Sequence, residues 1–307
     1  MLVVRHARDL PRHPRGWCFA LGMFDGVHLG HQHVLRSALL DAAADGAMAA
    51  AITFDPHPMA VLRPDRAPLL LQPISARLRA MESLGLDAAL VIPFDAAFSQ
   101  LTGEAFVEQL VRESGGMRSI SVGTGFQFGH DRSGNVPVLK ALGERLGFTA
   151  NECAPVSIGD SRVSSSRVRK CLRAGLLKEV AELLGRPYSV TGVVMPGDQL
   201  GRQIGFPTAN LNVQGLELPP HGVYAVRVLH QGRALSGVLN LGVRPTVTRQ
   251  GELRFEVHLL EFDGDLLGAE LEIRFVARLR DERRFPNLEA LVDQIRSDVG
   301  AARTLLG

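Results

Sequence analysis

The first half of the chain alternates short apolar runs with longer amphipathic stretches. In those stretches apolar residues recur at three- and four-residue intervals, which is the spacing that predicts helices. Buried strands are predicted at CFALG (18–22), MAAAITF (48–54), AALVIPF (88–94) and SISVG (119–123), with helices at 31–46, 75–85 and 103–114. Strands that alternate with helices indicate an α/β domain with a parallel sheet covered on both faces, the doubly wound arrangement. Ligands of such sheets collect at the carboxyl ends of the strands.

The pattern changes after about residue 184. The segments YSVTGVVM, GVYAVRVLH, RALSGVLNLG, RFEVHLLEF and AELEIRFVARL are short, rich in β-branched residues and separated by turn residues. In RFEVHLL, the residues Phe255, Val257 and Leu259 alternate with polar ones, which gives one buried and one exposed face. Several such strands in series predict a closed or nearly closed antiparallel β-barrel, followed by a terminal helix at 287–306. We therefore expect two domains, residues 1–184 and 185–307.

The composition is that of an ordinary globular protein. Of the 307 residues, 46% are hydrophobic and 21% charged, and the net charge of +2 gives no argument for nucleic-acid binding. Most basic residues are arginines, which hold phosphate in a fixed fork, although such a bias more often reflects genomic base composition. The three cysteines are far apart, which is typical of a reducing cytoplasm rather than of a zinc site or a disulfide framework. No stretch predicts a signal core or a membrane span, so we expect a cytoplasmic protein.

The stretch GMFDGVHLGHQHVL, residues 22–35, follows the first predicted strand and opens the first predicted helix. A helix N-terminus offers backbone N–H groups and a partial positive charge, and both favour a phosphate. Gly22, Gly26 and Gly30 let the main chain approach such a group closely. The stretch is neither a Walker A loop nor GxGxxG, so the available cations are His28 and His31. Taken alone, a histidine pair with this spacing is as typical of surface histidines or of a metal-binding pair as it is of a phosphate site.

HLGH after a first strand resembles the HxGH motif of the α/β-phosphodiesterase nucleotidyltransferases, whose two histidines contact ATP phosphates. The longer GMFDGVHLGHQ is similar to the prokaryotic FAD synthetases, and TFDPHP (53–58), GFQFGHDRSGN (125–135) and SSSRVR (164–169) occur in that family's order. The resemblance implies ATP-binding roles for Gly22, Phe24, His28, Gly30, His31, Ser164, Ser165 and Arg169. It implies flavin-binding roles for Asp55, Pro56, His57, Pro58, Gly125, Phe126 and Phe128. The two phenylalanines are equally expected to pack on a ring or in the core.

Two positions depart from that family's pattern. The family usually carries Asp or Asn where this chain has Gly125, so a side-chain hydrogen bond to the ligand is expected to be missing there. Ser166 stands where threonine is usual, a milder change that keeps the hydroxyl.

The predicted barrel opens with GDQLGRQIGFPTANL, residues 197–211. Thr208 and Asn210 are two apart on an extended segment and so point to the same face, where their neutral oxygens suit Mg²⁺. PTAN resembles the riboflavin kinase motif, and PPHGVYAVRV (219–228), GVLNLGVRPTV (237–247) and FEVHLLEFDGDLLG (255–268) follow in that family's order. The resemblance implies that ATP and Mg²⁺ are bound by Gly201, Gly205, Pro207, Thr208 and Asn210, the last two holding the metal.

The two implied reactions need different side chains. FMN carries a phosphate that is largely dianionic at neutral pH, so its adenylylation needs cations around the phosphates rather than a strong base. A riboflavin hydroxyl is neutral and needs a carboxylate within hydrogen-bond reach. By the resemblance that carboxylate is Glu256, on the polar face of its strand. Alternatives in the following turn are Glu261, Asp263 and Asp265. Asn240 and Arg244 are expected to border the nucleotide or flavin, although a structural ion pair is equally expected for Arg244.

Together the motifs predict a bifunctional enzyme with ATP, riboflavin, FMN and FAD as substrates and products and Mg²⁺ as the metal. One alternative is a riboflavin kinase whose adenylyltransferase domain is inactive or altered, because of Gly125. A less favoured alternative is a non-catalytic flavin-binding regulator. We expect a monomer or a weak homo-oligomer, with no nucleic-acid or membrane partner.

Overall fold

A computed structural model of the chain describes residues 1–197, 200–244 and 252–307, except for the side chains of residues 244 and 252. The chain divides into two compact units, Met1–Ser165 and Ser166–Gly307. Within the described residues, no helix is both long enough and apolar enough to cross a membrane.

The first unit is built on a six-stranded sheet with the order β1-β4-β3-β2-β5-β6, in which all neighbouring strands are parallel. Its strands are β1 (Leu2–Val4), β2 (Trp17–Leu21), β3 (Met48–Asp55), β4 (Ala88–Pro93), β5 (Met117–Gly123) and β6 (Thr149–Cys153). From β2 the chain adds β3 and β4 on one side, and it then returns to add β5 and β6 on the other. The strand order therefore reverses between β2 and β5. The predicted doubly wound parallel sheet is confirmed.

Helices cover both faces of this sheet. They are α1 (Leu29–Asp45), α2 (Pro58–Leu62), α3 (Ile74–Ser83), α4 (Gly103–Glu113) and α5 (Val136–Leu146). Along β2, the side chains of Trp17 and Phe19 enter one core cluster with residues of α4 and α5. Cys18 and Ala20 enter the other cluster, with residues of α1 and α3. Because successive side chains of a strand point to opposite faces, a strand buried on both sides is apolar along its whole length.

The outer strands of the sheet are less evident in the sequence. β1 is only three residues long and pairs with β4, while β6 pairs with β5 and keeps its polar side chains half-exposed or exposed. A short hairpin, β7 (Ser157–Ile158) and β8 (Ser161–Arg162), follows β6. Edge strands owe their conformation to pairing more than to an apolar pattern, which explains why the periodicity does not predict β1 and β6.

The second unit is a closed antiparallel barrel with the strand order β10-β13-β12-β11-β14-β9. The strands are β9 (Ser189–Met195), β10 (Ala209–Asn212), β11 (Gly222–His230), β12 (Arg233–Arg244), β13 (Glu252–Leu259) and β14 (Glu270–Arg280). The helices are α6 (Ser165–Arg173), α7 (Leu177–Leu184), α8 (Leu200–Gln203) and α9 (Leu288–Leu306). Ala302 and Leu306 of α9 are buried in one cluster with Val223 and Val238 of the barrel. The predicted barrel and terminal helix are confirmed.

Candidate active sites

The predicted phosphate site of the first unit lies at the start of α1, beside the point where the strand order reverses. His28 is the N-cap of α1, and its Nδ1 accepts a hydrogen bond from the His31 backbone N–H at 3.2 Å. The two imidazole rings stack with their centroids 3.6 Å apart. His28 is buried and His31 is half-buried. The pair is therefore concentrated at a single helix N-terminus, the part of a helix that binds anions best.

Two glycines make room for the rings of this site. A Cβ atom on Gly30 would lie 3.1 Å from His28 Cε1, and one on Gly22 would lie 3.0 Å from Phe24 Cε1. Phe24 is 1% exposed and meets the ring of His31 edge-on, with centroids 5.4 Å apart. The side chain of Phe24 thus supports the histidine pair from the core, and it is not open to a ligand.

Asp25 anchors the rest of the loop between β2 and α1. Its buried carboxylate accepts hydrogen bonds from the backbone N–H groups of residues 71 and 72 at 3.0 to 3.2 Å. Its carbonyl accepts a hydrogen bond from the Ser165 hydroxyl at 3.0 Å. This contact brings the predicted segment that holds Ser164 and Ser165 to the loop. Arg169 lies farther along α6 and is buried.

A cavity of about 810 Å³ is lined by residues that follow β3, β4 and β5, and we call it the aromatic cavity. Four of the predicted flavin-binding residues line it: His57, Pro58, Phe126 and Phe128. Phe128 is also buried in the core, whereas Phe126 is half-buried against it. The core position of the two phenylalanines is thus seen in the structure, and because both also line the cavity, packing on a bound ring stays a prediction.

The other three predicted flavin-binding residues lie next to this wall in the chain. Asp55 Oδ1 is 3.9 Å from the Nη2 of Arg77, and its peptide bond to Pro56 is cis. Gly125 has a φ of +73°, and a Cβ atom placed on it would meet nothing within 4 Å. The backbone there is left-handed, which Asn and Asp tolerate better than other residues with a side chain.

The aromatic cavity is backed by a continuous series of phenylalanine rings, of which the sequence pattern indicated only two. Neighbouring rings have centroids 5.6 to 6.0 Å apart. The series comprises Phe54, Phe94, Phe98, Phe106, Phe126 and Phe128. Three of them, Phe54, Phe94 and Phe106, lie in predicted strands or a predicted helix, so in the sequence they are typical core residues. Only the fold brings them together.

Basic side chains also line the aromatic cavity. They are Arg63, Arg66, His130 and Arg132. None of the four was predicted to bind a ligand. Arg63 and Arg66 follow a short helix with no apolar period, and His130 and Arg132 lie in GFQFGHDRSGN without a predicted role. Arg132 is one of two adjacent residues with left-handed backbone, φ +57° after φ +51° at Asp131, and both residues line the cavity. A cavity with aromatic rings and cations suits a planar ring that carries a phosphate.

In the barrel, Glu256 lies between two asparagines on neighbouring strands. On β13 it is paired with Asn210 of β10 on one side and with Asn240 of β12 on the other. Its neighbours Phe255 and Val257 are buried, as the alternation predicts, while the Glu256 side chain keeps 17% exposure. Arg254 Nε lies 3.5 Å from Glu256 Oε1. Glu256 is therefore directed away from the apolar core and into a polar part of the barrel.

A second cavity, of about 310 Å³, is called the barrel cavity here. Predicted residues in its wall are Gly201, Thr208, Asn240 and Glu256. Residues without a predicted role also line it, among them Arg254, His258 and Arg280. His258 Nδ1 lies 2.7 Å from the carbonyl oxygen of Pro207, so β13 holds the residue that precedes Thr208. The structure thus places the carboxylate and the threonine of PTAN in one cavity.

Asn210 and Thr208 also share the wall of a neighbouring cavity of about 710 Å³ with Asp263 and Asp265. A Cβ atom on Gly197 would lie 2.0 Å from the Asn210 side-chain nitrogen, so only glycine leaves space for this amide. The remaining alternative, Glu261, is exposed and lies 3.5 Å from Arg303. Gly205 has a φ of +86° and opens the turn before Pro207. The side chain of Arg244 lies outside the described residues.

Two family models match the chain and together account for both units. The FAD synthetase model matches residues 10–167, and the riboflavin kinase model matches residues 184–306. A relative from Pseudomonas fluorescens, named bifunctional riboflavin kinase/FMN adenylyltransferase, is 38% identical over 99% of this chain and 98% of its own. The chain belongs to this bifunctional family.

Other members of the family are similarly close over their whole length. The relative of the same name from Escherichia coli K12 is 35% identical over 100% of this chain and 98% of its own. A crystal structure from Streptococcus pneumoniae, described as a macrolide-efflux protein, superposes with a TM-score of 0.83 at 29% identity over 98% of each chain. The activity in that description is not carried over to this chain.

Each of the two cavities lies in the part of the chain that one family model matches. The aromatic cavity lies in the part matched by the FAD synthetase model, and the barrel cavity lies in the part matched by the riboflavin kinase model. Residues of TFDPHP and GFQFGHDRSGN line the aromatic cavity, and Thr208, Asn240 and Glu256 line the barrel cavity. The basic residues of the aromatic cavity have only one feature in the sequence that could indicate them: they lie in or near loops that follow predicted strands, where ligands of such sheets bind.

Proposed function

We propose that this chain converts riboflavin to FMN in its barrel and FMN to FAD in its first domain, with ATP as the donor in both steps. The observation that carries the proposal is the cross-strand position of Glu256, between Asn210 and Asn240 and in one cavity with Thr208. No comparable carboxylate is required at the histidine pair of the first unit. Two reactions with different chemical needs are thus matched by two differently built sites.

In the kinase step, Glu256 accepts the proton of the terminal riboflavin hydroxyl. The hydroxyl oxygen then forms a bond to the γ-phosphorus of ATP, and ADP leaves with the electrons of the broken bond. Asn240, in the wall of the barrel cavity, borders the nucleotide or the flavin. Because Glu256 is partly exposed and not enclosed in apolar packing, it is able to exchange its proton with water after each turnover.

In the adenylyl transfer step, a phosphate oxygen of FMN attacks the α-phosphorus of ATP, and pyrophosphate leaves. His28 and His31 stabilise the charge that develops on the phosphates, together with the backbone N–H groups at the start of α1. Ser164, Ser165 and Arg169 hold the β- and γ-phosphates. The aromatic cavity holds the flavin ring through Phe126 and Phe128, beside His57 and Pro58. Its basic residues are suited to the phosphate of FMN.

The residues of the barrel fit Mg²⁺. The side-chain oxygens of Thr208 and Asn210 are neutral and hard, as Mg²⁺ prefers, and the phosphates of ATP supply further ligands. Gly197 leaves the space that the Asn210 amide occupies, which fixes one of these donors in the cavity wall. When bound, Mg²⁺ neutralises charge on the transferred phosphate, while the chain positions the nucleotide through Gly201, Gly205 and Pro207.

We place the protein in the cytoplasm, where its three cysteines remain buried thiols. Its partners are small molecules, and a monomer or a weak homo-oligomer suffices for the proposed sites. Nucleic acid has no role in either reaction.

One assay tests the whole proposal. Purified protein is incubated with riboflavin, ATP and Mg²⁺, and the flavin products are separated by chromatography over time. FMN that appears first and is followed by FAD supports both activities. FMN alone leaves a kinase with an inactive first domain, and flavin binding without consumption of ATP indicates a non-catalytic regulator.

A further inference from the structure

Arg77 is a buried arginine to which the proposed reactions assign no role. It lies on α3, is 1% exposed, and has the buried side chains of Ala76 and Met81 on the same helix. Burial lowers the pKa of its guanidinium, and the carboxylates of Asp25 and Asp55 oppose this shift. A charge in such a place costs free energy unless hydrogen bonds and opposite charges compensate it. The groups that its guanidinium reaches therefore indicate why the arginine is there.

These groups come from two segments of the candidate site. Arg77 Nη1 donates to the Met23 carbonyl at 2.9 Å and lies 3.4 Å from Thr53 Oγ1. Its Nη2 is 3.9 Å from Asp55 Oδ1. The Thr53 hydroxyl donates to the same Met23 carbonyl at 3.0 Å. One guanidinium thus joins the loop after β2 to the end of β3.

Both segments border the place where the substrates are expected to meet. Met23 lines the aromatic cavity and opens the loop that leads to His28. Asp55 begins the DPHP segment, whose His57 and Pro58 line the same cavity. The acceptors that Arg77 reaches have other means of compensation, since the Met23 carbonyl also accepts from the Thr53 hydroxyl and the Asp55 side chain is 35% exposed, so neither of them needs an arginine to avoid an unpaired buried group.

We propose that Arg77 is a positioning residue for adenylyl transfer, which fixes the phosphate-binding loop 22–31 relative to the flavin-binding segment 55–58. This inference rests on the proposed function of the first domain. Its physical basis is the fork of the guanidinium, which bonds the Met23 carbonyl while it faces Thr53 and Asp55. Displacement of bound reactants by about 1 Å is able to cost a factor of about 100 in rate.

The test compares Arg77→Met and Arg77→Lys with the wild type in FAD formation from supplied FMN and ATP. Arg77→Met removes the charge and the fork, and we expect kcat to fall by about 10- to 100-fold. Arg77→Lys keeps a charge but loses the fork, so an intermediate kcat is expected. Arg79→Met is the matched control, because Arg79 is an exposed arginine on the same helix. FMN formation by the same molecules is the internal reference and should stay within about twofold of wild type.

A purely structural role is distinguished by a second readout. Hydrogen exchange of peptides that cover residues 22–31 and 53–58 should accelerate in both Arg77 variants and not in Arg79→Met, well below their unfolding temperatures. A variant that unfolds earlier but keeps wild-type kcat and wild-type exchange of these peptides would overturn the inference. If the wild type makes no FAD, the proposed function fails, and the exchange measurement still decides whether Arg77 positions the two loops.

Discussion

The replacement of Glu256 by glutamine is the sharpest test of the kinase site. Glutamine has nearly the same shape and keeps a hydrogen-bonding group between Asn210 and Asn240, but it cannot accept the hydroxyl proton. Loss of a general base lowers a rate by typically 10²–10⁴. At about 1.36 kcal/mol for each factor of ten, this is about 2.7 to 5.4 kcal/mol in the barrier of FMN formation.

The effect on stability should be much smaller. The one ion pair of Glu256 that the structure describes is with Arg254, at 3.5 Å, with side chains 17% and 30% exposed. Pairs open to solvent contribute about 0.2 to 1 kcal/mol. The free energy of unfolding of Glu256→Gln should therefore lie within about 1 kcal/mol of the wild-type value. The activation barrier of FMN formation should rise by several times that amount. A large change in the barrier with a small change in the free energy of unfolding would distinguish a catalytic role of Glu256 from a structural one.

The assay measures FMN formation from riboflavin and FAD formation from FMN in parallel, with chemical denaturation of the same samples. FAD formation should be unchanged in Glu256→Gln. Glu261→Gln is the matched control, since Glu261 is an exposed carboxylate in the turn after β13. A Glu256→Gln enzyme that keeps more than about one tenth of the wild-type kcat would refute the assignment of the general base, since the expected loss is about 10²-fold or more.

Three further changes test the first domain. In the double variant His28→Ala, His31→Ala, the rate of FAD formation should fall by at least about 100-fold, because the charge on the phosphates loses its stabilisation. FMN formation should persist. Loss of both activities in a folded protein would contradict the separation of sites. Gly30→Ala puts a Cβ atom 3.1 Å from His28 Cε1, so the ring has to move and the rate of FAD formation should fall, with little change in the unfolding midpoint. An unchanged rate would show that the position of the His28 ring is not critical. Gly125→Asn meets no atom within 4 Å and suits a φ of +73°, so it should fold normally and lower the KM for FMN; an unaltered KM would show that the missing side chain has no role.

Much of the fold follows from apolar spacing alone. The runs at β2, β3 and β4 are almost entirely apolar because both faces of each strand are buried, with Thr53 and Asp55 near the end of β3 as the polar exceptions, and the alternation in β13 follows from one buried face. Loop residues were assigned by resemblance to a family, and the structure places those of segments 22–31, 55–58 and 125–128 at or after the carboxyl ends of the neighbouring strands β2, β3 and β5. The weakest predictions concern edge strands and side chains that join distant segments. Neither β1 nor the partners of Arg77 has a local pattern that indicates it.

Apolar periodicity and motifs were enough to predict the two domain types, the two motif sets and the residues expected to carry the chemistry. Periodicity and motif spacing are local properties, so they can be read from neighbouring residues without any information on distant contacts. Contacts between distant residues come from the folded chain: six phenylalanines form one series of rings, Glu256 lies between Asn210 and Asn240, and Arg77 contacts Met23 and Asp55. The reason is that strand order and register place residues tens of positions apart within a few ångströms, and no local pattern encodes those pairings.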